Sequence, residues 1–228
     1  MPTKSRQNQK ISKIRLIHRQ QKWTLTAQGW GIAIAFTASL IIFAITQIHP
    51  FLAINSPIKA DVLVVEGWLP DYALKQALIE FESNSYRQII TTGTPLSTGS
   101  YLAEYKNFAE LSAATLKALG LETEKLVVIS TPDVVKDRTY ASAAAVRQWL
   151  FSSDLKLESI NLFTFDVHAR RSWLSYKQAL APKIKVGVIA VESIDYDSNK
   201  WWSSSAGVRS VISETIAYIY ARFASLSP

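Results

Sequence analysis

Beyond residue 58, short apolar runs alternate with segments in which apolar residues recur at helical spacing. The apolar runs predict β-strands at residues 61–65, 87–92, 126–130, 159–165 and 184–191. The segments between them predict helices from residue 70, at about 101–119, from 139 or 140 to 150, at about 169–180 and at 203–223. Continuous apolar strands alternating with helices are typical of a mostly parallel sheet covered on both faces. We therefore predict one α/β domain, residues 59–228, with a Rossmann-like sheet of about five strands.

An uncharged apolar segment precedes this domain. Residues 24–58 contain no Asp, Glu, Lys or Arg, and residues 30–48 form a 19-residue stretch with only four polar positions. At about 1.5 Å per residue this stretch spans about 28 Å, close to the hydrocarbon thickness of a bilayer. A tryptophan at its first end and His49-Pro50-Phe51 at the other suit the two membrane interfaces. The pattern predicts a transmembrane anchor at residues 29–50, which places a lipid bilayer among the partners, and a linker at residues 51–58.

A buried core helix and a cleavable signal peptide are the alternatives for this segment. Core helices are seldom this long without a charged residue. The apolar region of a signal peptide is usually shorter, about 7–15 residues, and ends at a small-x-small cleavage site. Phe51-Leu52-Ala53 offers no small residue at the first of those positions. We therefore favour an uncleaved anchor.

The net charge of +7 is concentrated at the N-terminus. Seven of the 25 Lys and Arg residues lie within the first 22 positions, and no acidic residue precedes Asp61. The rest of the chain has 18 basic residues against 18 acidic ones, so the basicity belongs to the tail at residues 1–28. A nucleic-acid-binding domain more often spreads its cations over one face of the fold, so we expect no nucleic-acid partner.

Cations beside a transmembrane helix mark its cytoplasmic end. The tail is therefore expected in the cytoplasm, and the α/β domain on the periplasmic side of a bacterial inner membrane. ATP and reduced nicotinamides are usually absent there, which disfavours soluble-cofactor chemistry and leaves any cofactor unknown. The chain has no cysteine, which excludes disulfides, cysteine-based zinc sites and a thiol nucleophile. Its three histidines are too few for a histidine-rich metal site, and we predict no metal ligands.

Polar residues follow the predicted strands. In a parallel sheet the strand-to-helix loops meet at one edge, and ligands bind there. The first four loops supply carboxylates, hydroxyls, glycines and cations at this edge: Glu66, Gly67, Thr92, Gly93, Asp137, Arg138, Thr139, Asp166, His168, Arg170 and Arg171.

The fourth of these loops contains residues suited to proton transfer and residues suited to anion binding. Arg170 and Arg171 fall in the first turn of a predicted helix, where free backbone N–H groups and the helix dipole also attract anions. Guanidinium adds forked donors suited to phosphate or carboxylate. His168 exchanges a proton near neutral pH, and Asp166 or Glu66 could orient it or act as a base.

Structural roles are the alternative for several of these side chains. The arginines could be ordinary surface residues, and Asp137-Arg138-Thr139 could be a surface salt bridge with a helix cap. No nucleophile elbow, P-loop, GxGxxG or HExxH motif is present. In the last predicted helix, an apolar stripe is expected to contact the core: Val208, Val211, Ile212, Ile216, Ile219 and Phe223.

Five segments resemble, in order, the SanA/ElyC/YdcF family of bacterial envelope-associated domains: DVLVVEGWLPDYAL, RQIITTG, KDRTYASAAAVRQWL, TFDVHARRSW and KWWSSSAGVRSVISETIAYIYARF. The resemblance covers about residues 60–224. Its most specific element is a histidine followed three residues later by an arginine, here His168 and Arg171. Many members have a glycine-rich turn after the first strand, where this chain has Glu66-Gly67-Trp68.

The resemblance implies a Rossmann-like sheet but no established reaction. For membrane-anchored members it implies a link to envelope integrity, peptidoglycan or lipid-carrier-dependent polysaccharide assembly. By position it implies functional roles for Glu66, Gly67, Thr92, Gly93, Glu104, Arg138, Thr139, His168 and Arg171.

These observations predict a membrane-anchored hydrolase or transferase acting on a phosphorylated envelope precursor. His168 is the expected general acid or base, with Glu66 or Asp137 as the assisting carboxylate. Arg171 and Arg138 are expected to hold the anion with the other candidate binding residues, which are Gly67, Thr92, Gly93, Glu104, Thr139, Asp166 and Arg170. One alternative is a non-catalytic binding or scaffold domain that recruits envelope-assembly proteins. Another is a nucleotide- or S-adenosylmethionine-binding domain, which the fold permits.

Overall fold

The computed structural model describes residues 23–97, 102–153 and 156–224. Most of the predicted basic tail lies outside these residues. The first element is a long apolar helix, α1 (Ala27–Leu52), which is long and apolar enough to cross a membrane. The most apolar 18-residue stretch of α1 has no buried residue, so this helix is not the core helix of a soluble domain.

The chain divides into two compact units between Ile42 and Phe43. The end of α1, from Phe43 to Leu52, therefore belongs to the same unit as the α/β domain. Within that unit Leu52 is fully buried, together with Val167 and Trp201.

Five parallel strands form the sheet, as the apolar runs predict: β1 (Val62–Glu66), β2 (Gln88–Gly93), β3 (Leu126–Ser130), β4 (Ser159–Phe165) and β5 (Lys185–Val191). Their order in the sheet is β3-β2-β1-β4-β5. From β1 the chain adds β2 and β3 on one side of the sheet, and it then adds β4 and β5 on the other side of β1. Open α/β sheets place their ligand crevice at this reversal of strand order, which here lies between β1 and β4.

Four helices cover the two faces of the sheet: α2 (Asp71–Ser83), α3 (Phe108–Ala118), α4 (Arg138–Ser152) and α5 (Ala169–Leu180). A fifth helix of the domain, α6 (Ser205–Ala224), packs against α5. Alternate residues of β1 enter two apolar cores, since successive side chains of a strand point to opposite faces. Val62 and Val64 pack with residues of α4 and α5, whereas Leu63 and Val65 pack with residues of α2 and α3. The predicted fold class is confirmed.

Helix α3 begins later than its apolar pattern predicts. The predicted start near residue 101 itself lies outside the described residues, and residues 102–107, which are described, are not helical. Asn107 is the N-cap, because its side-chain oxygen accepts a 2.9 Å hydrogen bond from the backbone N–H of Glu110.

The expectation that the apolar stripe of the last helix contacts the core is wrong for most of its residues. Of the six stripe positions only Val211 is buried, and the others are 40–66% exposed. The reason is that α6 packs on the domain along a narrow face that includes Gly207, Val211 and Glu214. The rest of the stripe lies beside that face rather than on it.

Residues 51–58 lie against the domain. Ser56 forms an antiparallel bridge with Val188 of β5. The Asn161 side chain accepts a 3.0 Å hydrogen bond from the N–H of Ile58 and donates a 2.8 Å bond to its carbonyl oxygen. The segment predicted as a linker is thus fastened to the sheet through backbone and side-chain bonds.

Candidate functional site

A cavity of about 390 Å³ opens at the carboxyl edge of the sheet, beside the point where the strand order reverses. Eight of the predicted site residues line it together: Glu66, Thr92, Gly93, Asp137, Arg138, Thr139, His168 and Arg171. These residues come from the ends of β1 and β2 and from the starts of α4 and α5. The sequence expectation that several loops would meet here therefore matches the geometry.

His168 stands between two carboxylates. Its Nδ1 lies 3.0 Å from Oε1 of Glu214, and its Nε2 lies 3.6 Å from Oε2 of Glu66. Nδ1 is also 2.9 Å from Nη2 of Arg171, but that Nη2 already donates to Glu214 Oε1 at 3.0 Å. These distances are explained if Nδ1 carries a hydrogen and donates it to Glu214 Oε1, which then accepts from both His168 and Arg171. Nε2 is then the nitrogen left to exchange a proton with a ligand.

Glu66 is a buried carboxylate held by hydroxyl groups. The residue is 4% exposed, and it ends β1 at the base of the cavity. Thr164 donates a 2.5 Å hydrogen bond to Oε2, and Ser172 donates a 2.9 Å bond to Oε1. These donors offset the cost of burying the charge and fix the carboxylate beside His168.

Arg171 and Glu214 form a bidentate ion pair across α5 and α6. Arg171 Nε donates to Oε2 at 2.8 Å, and Nη2 donates to Oε1 at 3.0 Å. Burial alone would raise the pKa of Glu214, but hydrogen bonds from His168 and Arg171 outweigh it and lower the pKa to about 2. The carboxylate is therefore ionised at neutral pH, and it holds the His168 ring and the Arg171 guanidinium in place.

Arg171 also reaches α4, since its Nη1 donates to Thr139 Oγ1 at 3.3 Å. Most of its donors are thus used within the protein. Burial would lower the pKa of Arg171, but the Glu214 carboxylate outweighs burial and raises it. This residue connects α4, α5 and α6, which is more a positioning role than the anion-binding role the sequence predicts.

The N-terminus of α4 faces the cavity without a side-chain cap. Asp137, the residue before α4, adopts a left-handed backbone conformation with φ 53°, and its side chain makes no capping hydrogen bond. Asp137, Arg138 and Thr139 all line the cavity. Among the described residues, Arg138 makes no ion pair, so its guanidinium and the first amides of α4 are suited to receive an anion.

The two predicted glycines pack against α3. A Cβ on Gly93 would lie 2.6 Å from Phe108 Cβ, and a Cβ on Gly67 would overlap the carbonyl group of Phe108. Both strand ends therefore need glycine so that the start of α3 can approach. Gly93 also lines the cavity, whereas Gly67 does not.

Asp166, Arg170 and Glu104 do not line this cavity. The Asp166 carboxylate points away from it, with Oδ1 3.0 Å from His49 Nε2 and Oδ2 accepting a hydrogen bond from the Tyr196 hydroxyl. Arg170 lies over the Phe51 ring, 3.9 Å from its centroid, and donates to the Phe51 carbonyl. Glu104 is exposed, ahead of α3.

The sequence analysis missed Glu214 and Trp68. Glu214 is the only acidic residue of α6, and that isolation was the one available signal. The Trp68 ring is 40% exposed and stands edge-on to His168, with ring centroids 5.1 Å apart. It forms a wall of the cavity directly after the Glu66-Gly67 pair.

No protein-family model matches this chain, and no curated protein matches its sequence. The resemblance to the SanA/ElyC/YdcF family therefore stays a prediction. Within the described residues, no group of three or more His, Asp or Glu side chains is arranged to hold a metal ion.

Proposed function

We propose that this protein is a membrane-anchored cell-envelope enzyme that uses His168 as a general acid or base on a phosphorylated precursor. The observation that carries the proposal is the orientation of His168. Its Nδ1 is fixed by Glu214 and its Nε2 lies 3.6 Å from Glu66, and both His168 and Glu66 line the cavity. A histidine held by a carboxylate on one nitrogen, with the other nitrogen accessible, is the arrangement used for proton transfer in many enzymes.

The expected reaction is cleavage or transfer at a phosphate ester or diphosphate. In the hydrolytic case, neutral His168 takes a proton from water at Nε2 as the water oxygen bonds to phosphorus and the bridging oxygen leaves. The imidazolium that forms is stabilised by Glu66 and Glu214. In this geometry Glu66, rather than Asp137, is the assisting carboxylate, because its Oε2 is 3.6 Å from Nε2.

The site as a whole is not basic, so an anion must be bound by particular groups within it rather than by an overall positive charge. With His168 protonated, three anionic and three cationic side chains balance: Glu66, Asp137, Glu214, Arg138, His168 and Arg171. Arg171 is already paired with Glu214. Arg138 and the uncapped amides of α4 are therefore the groups that would hold a phosphate oxygen, with Thr139 beside them.

The location proposed for this enzyme is the bacterial inner membrane, with the tail in the cytoplasm and the α/β domain in the periplasm. It is supported by the apolar α1 and by the cations that precede it in the sequence. This location also favours substrates of the envelope, such as polyprenyl diphosphates or lipid-linked sugars.

The test is phosphate release by the full-length protein in lipid nanodiscs, with a polyprenyl diphosphate or a lipid-linked sugar diphosphate as substrate. His168→Asn is expected to lower turnover by about 10²-fold or more while ligand binding persists. Arg138→Ala is expected to weaken binding, whereas Arg147→Ala, an exposed cation later in α4, should not. Binding without turnover in the wild type would favour the non-catalytic alternative. Neither binding nor turnover with any phosphorylated substrate would refute the proposal.

A further inference from the structure

Helix α6 carries an apolar stripe along one exposed side. Its side chains recur at spacings of three or four residues over most of the helix. Their exposed fractions are 40% for Val208, 47% for Ile212, 64% for Ile216, 50% for Ile219 and 66% for Phe223. A continuous row of this size on a soluble surface marks an interaction site.

The charged residues of α6 show which kind of surface the stripe suits. Glu214, its only acid, faces the candidate site and is paired with Arg171. The exposed charges are the cations Arg209 and Arg222, which flank the stripe on opposite sides at about 100° of helix rotation per residue. An apolar face bordered by cations is the pattern of a helix that lies in the interface of an anionic membrane.

Two contacts relate α6 to the end of α1. The Trp201 indole N–H, just before α6, donates to the Ile45 carbonyl at 3.0 Å. Farther along, the Tyr218 ring packs on the Phe51 ring with centroids 5.5 Å apart. Ile45 and Phe51 belong to the same compact unit as α6, so α6 lies against the segment where α1 would leave a membrane.

The stripe is also turned away from the candidate site. At about 100° per residue, Glu214 lies on one side of the packed face and the stripe on the other, with Val211 and Tyr218 between them. Going around α6, the order is the candidate site, the contact with the end of α1, and then the stripe. Trp202, which is 44% exposed beside the buried Trp201, extends the apolar surface at the start of the helix.

We propose that the apolar stripe of α6 lies in the lipid interface of the membrane that α1 crosses, with Arg209 and Arg222 at anionic headgroups. This inference rests on α1 being the membrane anchor and is independent of the chemistry at His168. The occupant is the bilayer itself, which the domain then contacts through the stripe as well as through α1.

The absence of cysteine allows a direct test. Full-length single-cysteine variants Ile212→Cys, Ile216→Cys and Ser213→Cys are labelled with an environment-sensitive fluorophore. They are reconstituted in vesicles of equal parts phosphatidylcholine and phosphatidylglycerol, with or without spin-labelled lipid. The labels at 212 and 216 are expected to lose about half of their fluorescence to the spin-labelled lipid, as expected for an interfacial depth. The matched label at 213, on the polar side of α6, should change little.

A label at Ser39→Cys, within α1, separates failure of the anchor from failure of this inference. Quenching at 39 without quenching at 212 and 216 would overturn the contact between α6 and lipid. No quenching at 39 would overturn the anchor itself. Disulfide formation between two Ile212→Cys chains, with no lipid quenching, would show that a second copy covers the stripe and would also overturn the proposal.

Discussion

Neutralising Glu214 is the sharpest test of the candidate site. Glu214→Gln keeps the shape of the side chain but removes the charge that faces Arg171 Nε at 2.8 Å and His168 Nδ1 at 3.0 Å. The side chain is 19% exposed, so solvent screens this interaction only partly. The drop in the pKa of Glu214 from 4.5 to about 2 corresponds to about 3 kcal/mol of stabilisation at neutral pH.

The sign of this effect sets its pH dependence. Because the folded-state pKa of Glu214 lies below the value of an unfolded chain, its stabilisation is complete above about pH 5 and is lost as the pH falls towards 2. Glu214→Gln should therefore lower the free energy of unfolding by about 3 kcal/mol at pH 7, and the difference from wild type should shrink towards zero at pH 2.

Urea unfolding of the full chain in detergent micelles, followed by tryptophan fluorescence at several pH values, measures this difference. The matched control is Glu122→Gln, which removes an exposed carboxylate paired with Lys125 and should leave the unfolding midpoint unchanged. A loss below about 1 kcal/mol for Glu214→Gln at pH 7, or a loss that is the same at pH 7 and pH 3, would refute the role assigned to Glu214.

Three further substitutions test contacts in and around the α/β domain, each by thermal or chemical unfolding of the full chain. Gly93→Ala forces a Cβ against Phe108 and should cost about 1–3 kcal/mol, so a neutral result would contradict the close approach of α3. His49→Phe removes the imidazole whose Nε2 lies 3.0 Å from the buried Asp166 carboxylate and should cost about 1–3 kcal/mol, the cost of leaving a buried acceptor without this neighbour; unchanged stability would show that the contact does not contribute. Burial raises the pKa of Asp61, but hydrogen bonds from backbone amides and a hydroxyl outweigh burial and lower it. Asp61→Asn should therefore destabilise at neutral pH and have little effect below the pKa, the reverse of what an unbonded carboxylate would give.

The strands were predictable because each is a short apolar run that ends at a polar residue or a glycine. All five lie within one residue of their predicted positions. Parallel strands covered on both faces are apolar at nearly every position, so the beginning and the end of each strand are easy to locate in the sequence. The start of α3 was less predictable, because it depends on a capping hydrogen bond from Asn107 rather than on the apolar pattern.

The candidate site was predictable only in part. Residues directly after strands meet at one edge in any parallel sheet, which is why Glu66, Arg138 and His168 line one cavity. Glu214 could not be found this way, since it lies in the middle of a helix 46 residues beyond His168. Asp166 shows the opposite error: it follows a strand, but its left-handed backbone, with φ 41°, turns the side chain away from the cavity.

The apolar stripe of α6 shows a third limit of sequence reasoning. Helical periodicity identifies which residues share a side of the helix, but it does not identify what covers that side. The stripe was assigned to the core because its residues recur at helical spacing, which is typical of a core-facing side. If α1 crosses a membrane, the bilayer is a second apolar environment for the stripe, and the helical periodicity is the same for both environments.

The short helical turn Asp166–His168 is held from two directions. On one side, His49 at the end of α1 faces Asp166, and on the other side, Glu214 of α6 faces His168. His49 lies in α1, which the predicted domain boundary at residue 59 separates from the site. Glu214 lies in α6, which the sequence analysis did not connect with the site. His49 and Asp166 are both buried, with Nε2 3.0 Å from Oδ1, so the end of α1 is part of the folded domain, and removing it would take a polar neighbour away from this buried carboxylate. The end of α1 and the His168 ring are therefore connected through one three-residue turn.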